Sequence, residues 1–484
     1  MSTKKAIAIL VGINVILMLV LIVFSFLQSV NTIYMDDLGL MGYLPSQDGD
    51  QVDIGRYFVP HNFSRPALWR LAGVFTLYGL GISPFIYNML PVFVIIILSL
   101  LFLRLIADHF GDLFHSLLAW TTINFILLSF VHEINLCWGA QYIYYLPTIF
   151  GVALFIFYRR CHSAPGCFAA YLAAVVLASF SYANGILVAL LLPPMLLKEP
   201  FKRKVLWLAL PPLLGLAYYF FYIPHTYLST NTADAQVMDI IRFFLISLGH
   251  PIGRTPLMSA IVGGLTILVF AGLTLHLLYR RAWPAHYAFI LLAIMGLLST
   301  GMLAVGRSTN LPSATCWRYS AFALIFTIPL LLIIFKRLSD SYRGGLIYPF
   351  TGFLAALYFT QNVVIVDALA VDPILSHKTR KDGELAMEYS NIFPDNPRIA
   401  NVCPMWDVKT IVNVSKPFFQ NGILKYRLKS EAVRARNRRR TGFVTPWAPG
   451  TTQRGGQYFR NANWRPGANW PRRRDAAGPE RSLS

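Results

Sequence analysis

The run "AIAILVGINVILMLVLIVFSFL", Ala6 to Leu27, decides the fold class. As a helix rising about 1.5 Å per residue it crosses the ~30 Å hydrocarbon core of a bilayer. It follows Lys4 and Lys5, but its apolar stretch is longer than a signal-peptide core and no small-x-small cleavage pattern follows, so it is read as a retained first span. Comparable runs recur along 484 residues that are 56% hydrophobic and only 13% charged, against roughly a quarter charged in soluble chains. With no water to satisfy backbone groups, such runs cross as helices, and the expected class is an all-α polytopic membrane protein.

Taking apolar runs between charged or Pro/Gly-rich breaks predicts about eleven spans, near 6–28, 84–106, 114–131, 141–158, 166–182, 185–197, 205–223, 257–279, 285–304, 317–336 and 345–366. The fifth and sixth are short and meet at "SYANGIL", which leaves a broken or re-entrant pair open there. The basic short segments "MSTKK", "YRRCH", "KEPFKRK", "YRRAW" and "FKRLSDSYR" all alternate onto one side, which places that side and the N-terminus in the cytoplasm. The opposite face, with the C-terminus, receives 29–83, 132–140, "SYANG", 224–256, 305–316 and everything after about 367. The chain thus divides into a membrane domain, 1–366, an outer extension, 367–430, and a tail, 431–484, whose Arg, Gly, Pro and Trp content without apolar periodicity marks disorder. The tail supplies roughly half of the net charge of +20. On an outer face its partner is expected to be anionic lipid or polysaccharide rather than nucleic acid, a solvated tail being the plain alternative.

The outer face holds the polar residues that chemistry needs. "YMDDLG" puts Asp36 and Asp37 within about ten residues of the end of the first span, at the membrane surface. Adjacent carboxylates there repel, which suits one of them to act as a base or metal ligand; a helix cap or salt-bridged pair is the alternative. "VPHNFSRPALWRL" adds His61, Arg65 and Arg70 around a proline-started segment whose apolar face fits an interfacial helix. Further along lie His132, His225, His250, Arg307 and Arg318, the last between the interfacial anchors Trp317 and Tyr319. Arginine offers a fixed fork of donors to phosphate, and histidine can carry a proton. No serine-hydrolase, zincin or P-loop motif and no metal-like cysteine spacing occurs. Asp48, Asp50 and Asp53 leave a divalent cation open, although "SQDGDQVD" reads equally as a solvated loop. Asn14, Asn124 and Asn184 are the polar intrusions into the apolar runs, expected to bond between helices.

The ordered series "DD", "HNFSRPALWRL", "CWGAQY", "ASFSYANGILV" and "GRSTNLPSATCWRYSAFALIF" resembles the C-type membrane glycosyltransferases, over about residues 1–366. Within that superfamily it is similar to a bacterial group with "HNEHR", "WGxQ", "S-x-ANG" and "GR…SRY" stretches. Two positions depart: Phe63 and Ser64 replace the acid and second histidine of "HNEHR", and "WRY" replaces "SRY" while keeping Arg318 and Tyr319. The resemblance implies an inner-membrane enzyme that moves a sugar from a polyprenyl phosphate to an envelope glycan, lipid or protein on the outer leaflet. It assigns Asp36 or Asp37 as the catalytic carboxylate and Arg307, Arg318, Arg65 and His61 to the donor phosphate. His225 and His250 remain candidate substrate contacts. The competing classes are a flippase of lipid-linked sugars, a polysaccharide polymerase or ligase, and a non-catalytic scaffold working through its tail.

Overall fold

The computed structural model describes residues 2–33, 57–58, 66–161, 164–192, 236–253, 255–315, 319–340, 344–371, 377–388 and 395–402, with isolated positions among and after them. All regular structure in these residues is helical. The principal helices are α1 (Thr3–Gln28), α2 (Ala67–Val74), α3 (Leu90–Phe110), α4 (Leu113–Leu127), α5 (Leu146–Tyr158), α6 (Ala164–Ser179), α7 (Val237–Gly249), α8 (Pro256–Tyr279), α9 (Tyr287–Arg307), α10 (Ser320–Ser339), α11 (Ile347–Val371) and α12 (His377–Glu388).

Among the described residues, eight segments are long and apolar enough to cross a membrane: Thr3–Gln28, Pro84–Phe110, Leu113–His132, Gly139–Tyr158, Pro256–Tyr279, Trp283–Arg307, Ser320–Ser339 and Ile347–Val366. Eleven were expected, and the difference lies in the middle of the chain. The run at 205–223 falls almost wholly outside the described residues. The run at 166–182 forms α6, 16 residues long, and that at 185–197 becomes a 3-10 helix, Ala183–Leu190.

Helices apolar on all sides can sit at the centre or in lipid, and burial separates the two cases. The α4 segment is 83% buried and α10 78%, whereas α8 is 17% buried and α1 22%. The core is therefore α4 and α10, with α3, α5 and α9 around them and α1 and α8 on the lipid side. The inner face of α1 carries Leu10, Asn14, Leu17, Leu21 and Phe24 at helical spacing. Asn14 Nδ2 donates to Thr121 Oγ1 at 2.6 Å and Asn124 Nδ2 donates to Asn14 Oδ1 at 2.6 Å. Ser99 Oγ donates to Asn124 Oδ1 at 2.8 Å, which joins α1, α3 and α4 in one polar seam. Asn184 Nδ2 donates to Ser299 Oγ at 3.2 Å. The three asparagines serve as bonds between elements, as expected.

The 3-10 segment shows how irregular backbone is accommodated at this depth. It breaks from α6 at "SFSYANG", where Tyr182 is extended, φ −156°. A methyl group at Gly185 would overlap the Ala178 carbonyl, so only glycine lets the chain fold back so tightly. A 3-10 run of this length leaves poorly aligned carbonyls. Tyr171, Tyr158 and Tyr287 hydroxyls donate to the Ala189, Leu191 and Leu192 carbonyls at 2.7, 3.0 and 2.9 Å. Protein phenols stand where water cannot.

The bundle has two unlike ends. One carries Arg104, Arg159, Arg160, Arg280, Arg281, Lys336 and Arg337, cross-tied by the Arg159 guanidinium on the Asp108 carbonyl and by Arg337 on His276. The other gathers the exits of α1, α4, α6 and α9. The gathering of these basic residues at one end is as expected from the sequence; Asp36, Asp37, Asp48, Asp50 and Asp53, expected at the other, lie outside the described residues. The tail, 431–484, lies outside the described residues.

Candidate functional site

At the second end, the segments that carry the quoted motifs meet. The chain leaves α1 through Ser29–Ile33, and Asn88, just before α3, holds it: Nδ2 donates to the Val30 and Thr32 carbonyls, both at 3.0 Å. The Oδ1 of the same residue accepts the Gly139 amide at 3.1 Å, which fixes the "WGAQY" stretch to the exit of α1. Ser25 Oγ reaches the Leu136 carbonyl at 2.8 Å, and Phe24 stacks on Phe130 with centroids 3.9 Å apart.

Helix α2 comes from "RPALWRL". Trp69 Nε1 donates to Tyr87 OH at 3.1 Å, and Tyr142 OH donates to the Trp69 carbonyl at 3.4 Å. The Leu68 amide bonds the Phe180 carbonyl at 3.0 Å, and Phe58 meets the Phe180 ring edge-on at 5.3 Å. Tyr144 then packs on Tyr182 at 4.7 Å, both pack on Phe322, and Phe322 meets Tyr319 at 6.4 Å. The described parts of these stretches, 66–71, 138–144, 181–185 and 319–322, are thereby joined through hydrogen bonds and an aromatic cluster.

Arg70 is buried at this junction, its Nη1 donating to the Tyr57 carbonyl at 2.9 Å. Burial pushes the Tyr57 phenol up from its ordinary value. Arg70 thus anchors Tyr57 to α2 rather than standing on the surface.

Of the candidate residues, Arg307, Tyr319 and His250 are described and share this end. Arg307, half-buried, is the last residue of α9, and Tyr319, buried, caps the start of α10. His250, half-buried, caps α7, one turn from Ser247, whose Oγ donates to the Ala314 carbonyl at 3.2 Å. Gln361 Nε2 donates to the Pro251 carbonyl at 2.6 Å and ties α11 to the same corner. Asp36, Asp37, His61, Arg65, His225 and Arg318 lie outside the described residues. His132 is wholly buried edge-on to Tyr145 at 6.0 Å, a packing position rather than a surface base.

Two contributors were not legible in the sequence. Helix α12, from the extension after the last span, folds back onto the exit of α1. Arg380 Nη2 donates to Gln28 Oε1 at 2.9 Å, and the Asn31 amide donates to Glu384 Oε2 at 3.0 Å. Lys381 Nζ supports the same carboxylate at 2.6 Å, and Arg380 and Glu384 are only 3% and 4% exposed. Asn88 is the other; its one signal is a lone amide at the head of an apolar run, "NMLPVFVIIILSLLFL". Among the described residues no three His, Cys, Asp or Glu side chains converge as a metal-ligand set. No protein-family model, characterised protein or solved structure matches the chain.

Proposed function

We propose that this chain is a membrane-embedded glycosyltransferase that moves a sugar from a polyprenyl phosphate to an envelope glycan, lipid or protein at the end of the bundle away from the basic loops. The observation that supports it is the convergence of four sequence-distant stretches, 66–71, 138–144, 181–185 and 319–322, through hydrogen bonds and one aromatic cluster beside the exit of α1. Asp36 and Asp37 follow that exit within a few residues, after a backbone held by Asn88 and Glu384. In this reading one of the two carboxylates takes the proton of the acceptor hydroxyl. The departing polyprenyl phosphate gains charge as the glycosidic bond breaks, and Arg307, Arg318 and Arg65, with His61, stabilise it as fixed cations. The C-type glycosyltransferase architecture, an orientation with the basic end in the cytoplasm and a bacterial inner-membrane location belong to the same proposal. A flippase is the competing class. It is disfavoured by Asn14 and Asn124, two of the polar groups deep in the apolar runs, which are bonded to protein.

Mass-spectrometric profiling of envelope lipids and polysaccharides is the test, comparing wild type, a deletion, Asp36→Asn and Asp37→Asn at equal expression. Loss of one sugar-sized mass in the deletion and in at least one Asp variant is expected. An unaltered profile in both Asp variants, beside a changed one in the deletion, would remove the carboxylate mechanism and bring transport or scaffolding forward.

A further inference from the structure

We infer that the basic end carries a binding site for the phosphate of an anionic phospholipid, built by the C-terminus of α8 and the C-terminal turn of α10. This site is separate from the proposed transferase site and does not rest on it. Helix α8 offers lipid an almost continuous apolar flank, with Leu257, Leu265, Leu268, Leu275 and Tyr279 all more than half exposed. Where that flank ends, cations begin. Arg337 Nη2 lies 3.1 Å from His276 Nε2, and among the described residues no carboxylate pairs with that guanidinium. The nearest acid in sequence, Asp340, is held by Lys336 at 2.9 Å. Arg280 sits one helical turn beyond His276, on the same face, and stacks over Tyr279 at 5.9 Å. His286, buried behind Lys336, Arg337 and Asp340, leaves its Nδ1 without a hydrogen bond.

The backbone supplies the second, independent observation. The end of α8 is a Schellman turn: the Arg281 amide bonds the Leu278 carbonyl at 3.0 Å and the Ala282 amide bonds the Leu277 carbonyl at 2.9 Å. Its left-handed position, φ +54°, is held by Arg281, the one described non-glycine residue with a positive φ. Helix α3 ends with glycine in the left-handed conformation, Gly111 at φ +77°. An arginine stands in the position where glycine is favoured, at a cost in backbone preference that its charge would offset. Two to three arginines and a histidine at the end of an exposed apolar flank match a phosphodiester whose acyl chains run along α8.

Native mass spectrometry of the purified full chain tests this, with phosphatidylglycerol, phosphatidylcholine of the same acyl chains, or inorganic phosphate added. Wild type is expected to retain phosphatidylglycerol over phosphatidylcholine. Arg280→Gln with Arg337→Gln is expected to cut phosphatidylglycerol retention about tenfold, while the charge-matched Lys4→Gln/Lys5→Gln pair leaves it unchanged. Arg281→Gly should lower lipid retention while holding or raising the thermal midpoint, a combination that damage to the fold does not produce. If the double variant does not fold, Arg280→Gln alone, at an exposed position, reads the same effect. Equal retention of the two lipids, undiminished retention in the arginine variants, or an equal loss in the lysine pair overturns the site. Displacement by inorganic phosphate at low concentration assigns it to free phosphate and overturns the lipid.

Discussion

Asn14 sits in the middle of an apolar helix, where an unbonded amide would cost several kcal/mol. Its amide is fully engaged: Leu10 and Thr121 take its protons, at 2.8 and 2.6 Å, and Asn124 donates to its oxygen. Because the two asparagines share one bond, their substitutions should not add. Asn14→Leu and Asn124→Leu are each expected to destabilise by about 1–2 kcal/mol and the double by less than the sum. Thermal unfolding in detergent over the full cycle checks this, and simple additivity would show that the seam is not one unit. Tyr171 is a sharper case. Its hydroxyl holds the Ala189 carbonyl of the 3-10 segment at 2.7 Å, and the ring is wholly buried. Tyr171→Phe keeps the ring and orphans the carbonyl, so a loss of about 1–3 kcal/mol is expected; a variant as stable as wild type would mean that water or a rearranged neighbour satisfies that group.

Among the elements, α12 has the most direct bearing on the site. It carries few apolar residues and shows no membrane-spanning character, yet it buries Arg380 and Glu384 against the exit of α1. The carboxylate of Glu384 accepts the amide of Asn31, five residues before Asp36. Glu384→Leu removes that acceptor and leaves Lys381 without its partner. The expected result is faster hydrogen–deuterium exchange, by about tenfold, in a peptide spanning 29–33, with exchange in α4 unaltered. Equal acceleration in both peptides would mean that the whole fold had loosened. Helix α2 bears on the same site, since Trp69, Leu68 and Arg70 bind it to the "WGAQY" stretch, to the end of α6 and to Tyr57.

For the whole molecule, the gathering of basic residues at one end predicts sidedness. In a background with the five native cysteines replaced, Arg160→Cys is expected to resist a membrane-impermeant maleimide in intact cells, and Thr309→Cys to react. The reverse pattern would invert the orientation, and equal labelling would argue against a fixed one. The tail is a separate question of scale. Removing 431–484 is expected to shift the thermal midpoint by no more than about 2 °C, because a segment without apolar periodicity contributes no core. If the truncation abolishes the glycan product while the Asp variants retain it, the scaffold reading replaces the catalytic one.

The sequence by itself determined the helical membrane class, the gathering of basic residues at one end and the role of the buried asparagines. These follow from local quantities: a hydrocarbon core of fixed thickness demands a run of a certain length, and arginine in a short loop fixes the side on which that loop lies. It also marked "SYANGIL" as a break, since Gly185 stands where the chain folds back on α6. Tertiary structure alone decided that the break continues as a 3-10 segment, because the carbonyls of Ala189, Leu191 and Leu192 depend on tyrosines 18, 33 and 95 positions away. It alone decided that Asn88 and Glu384 support the exit of the first helix and that Arg70 is buried on the Tyr57 carbonyl. No periodicity records that Glu384 meets Asn31 across 353 positions, because such a contact exists only after the helices have packed.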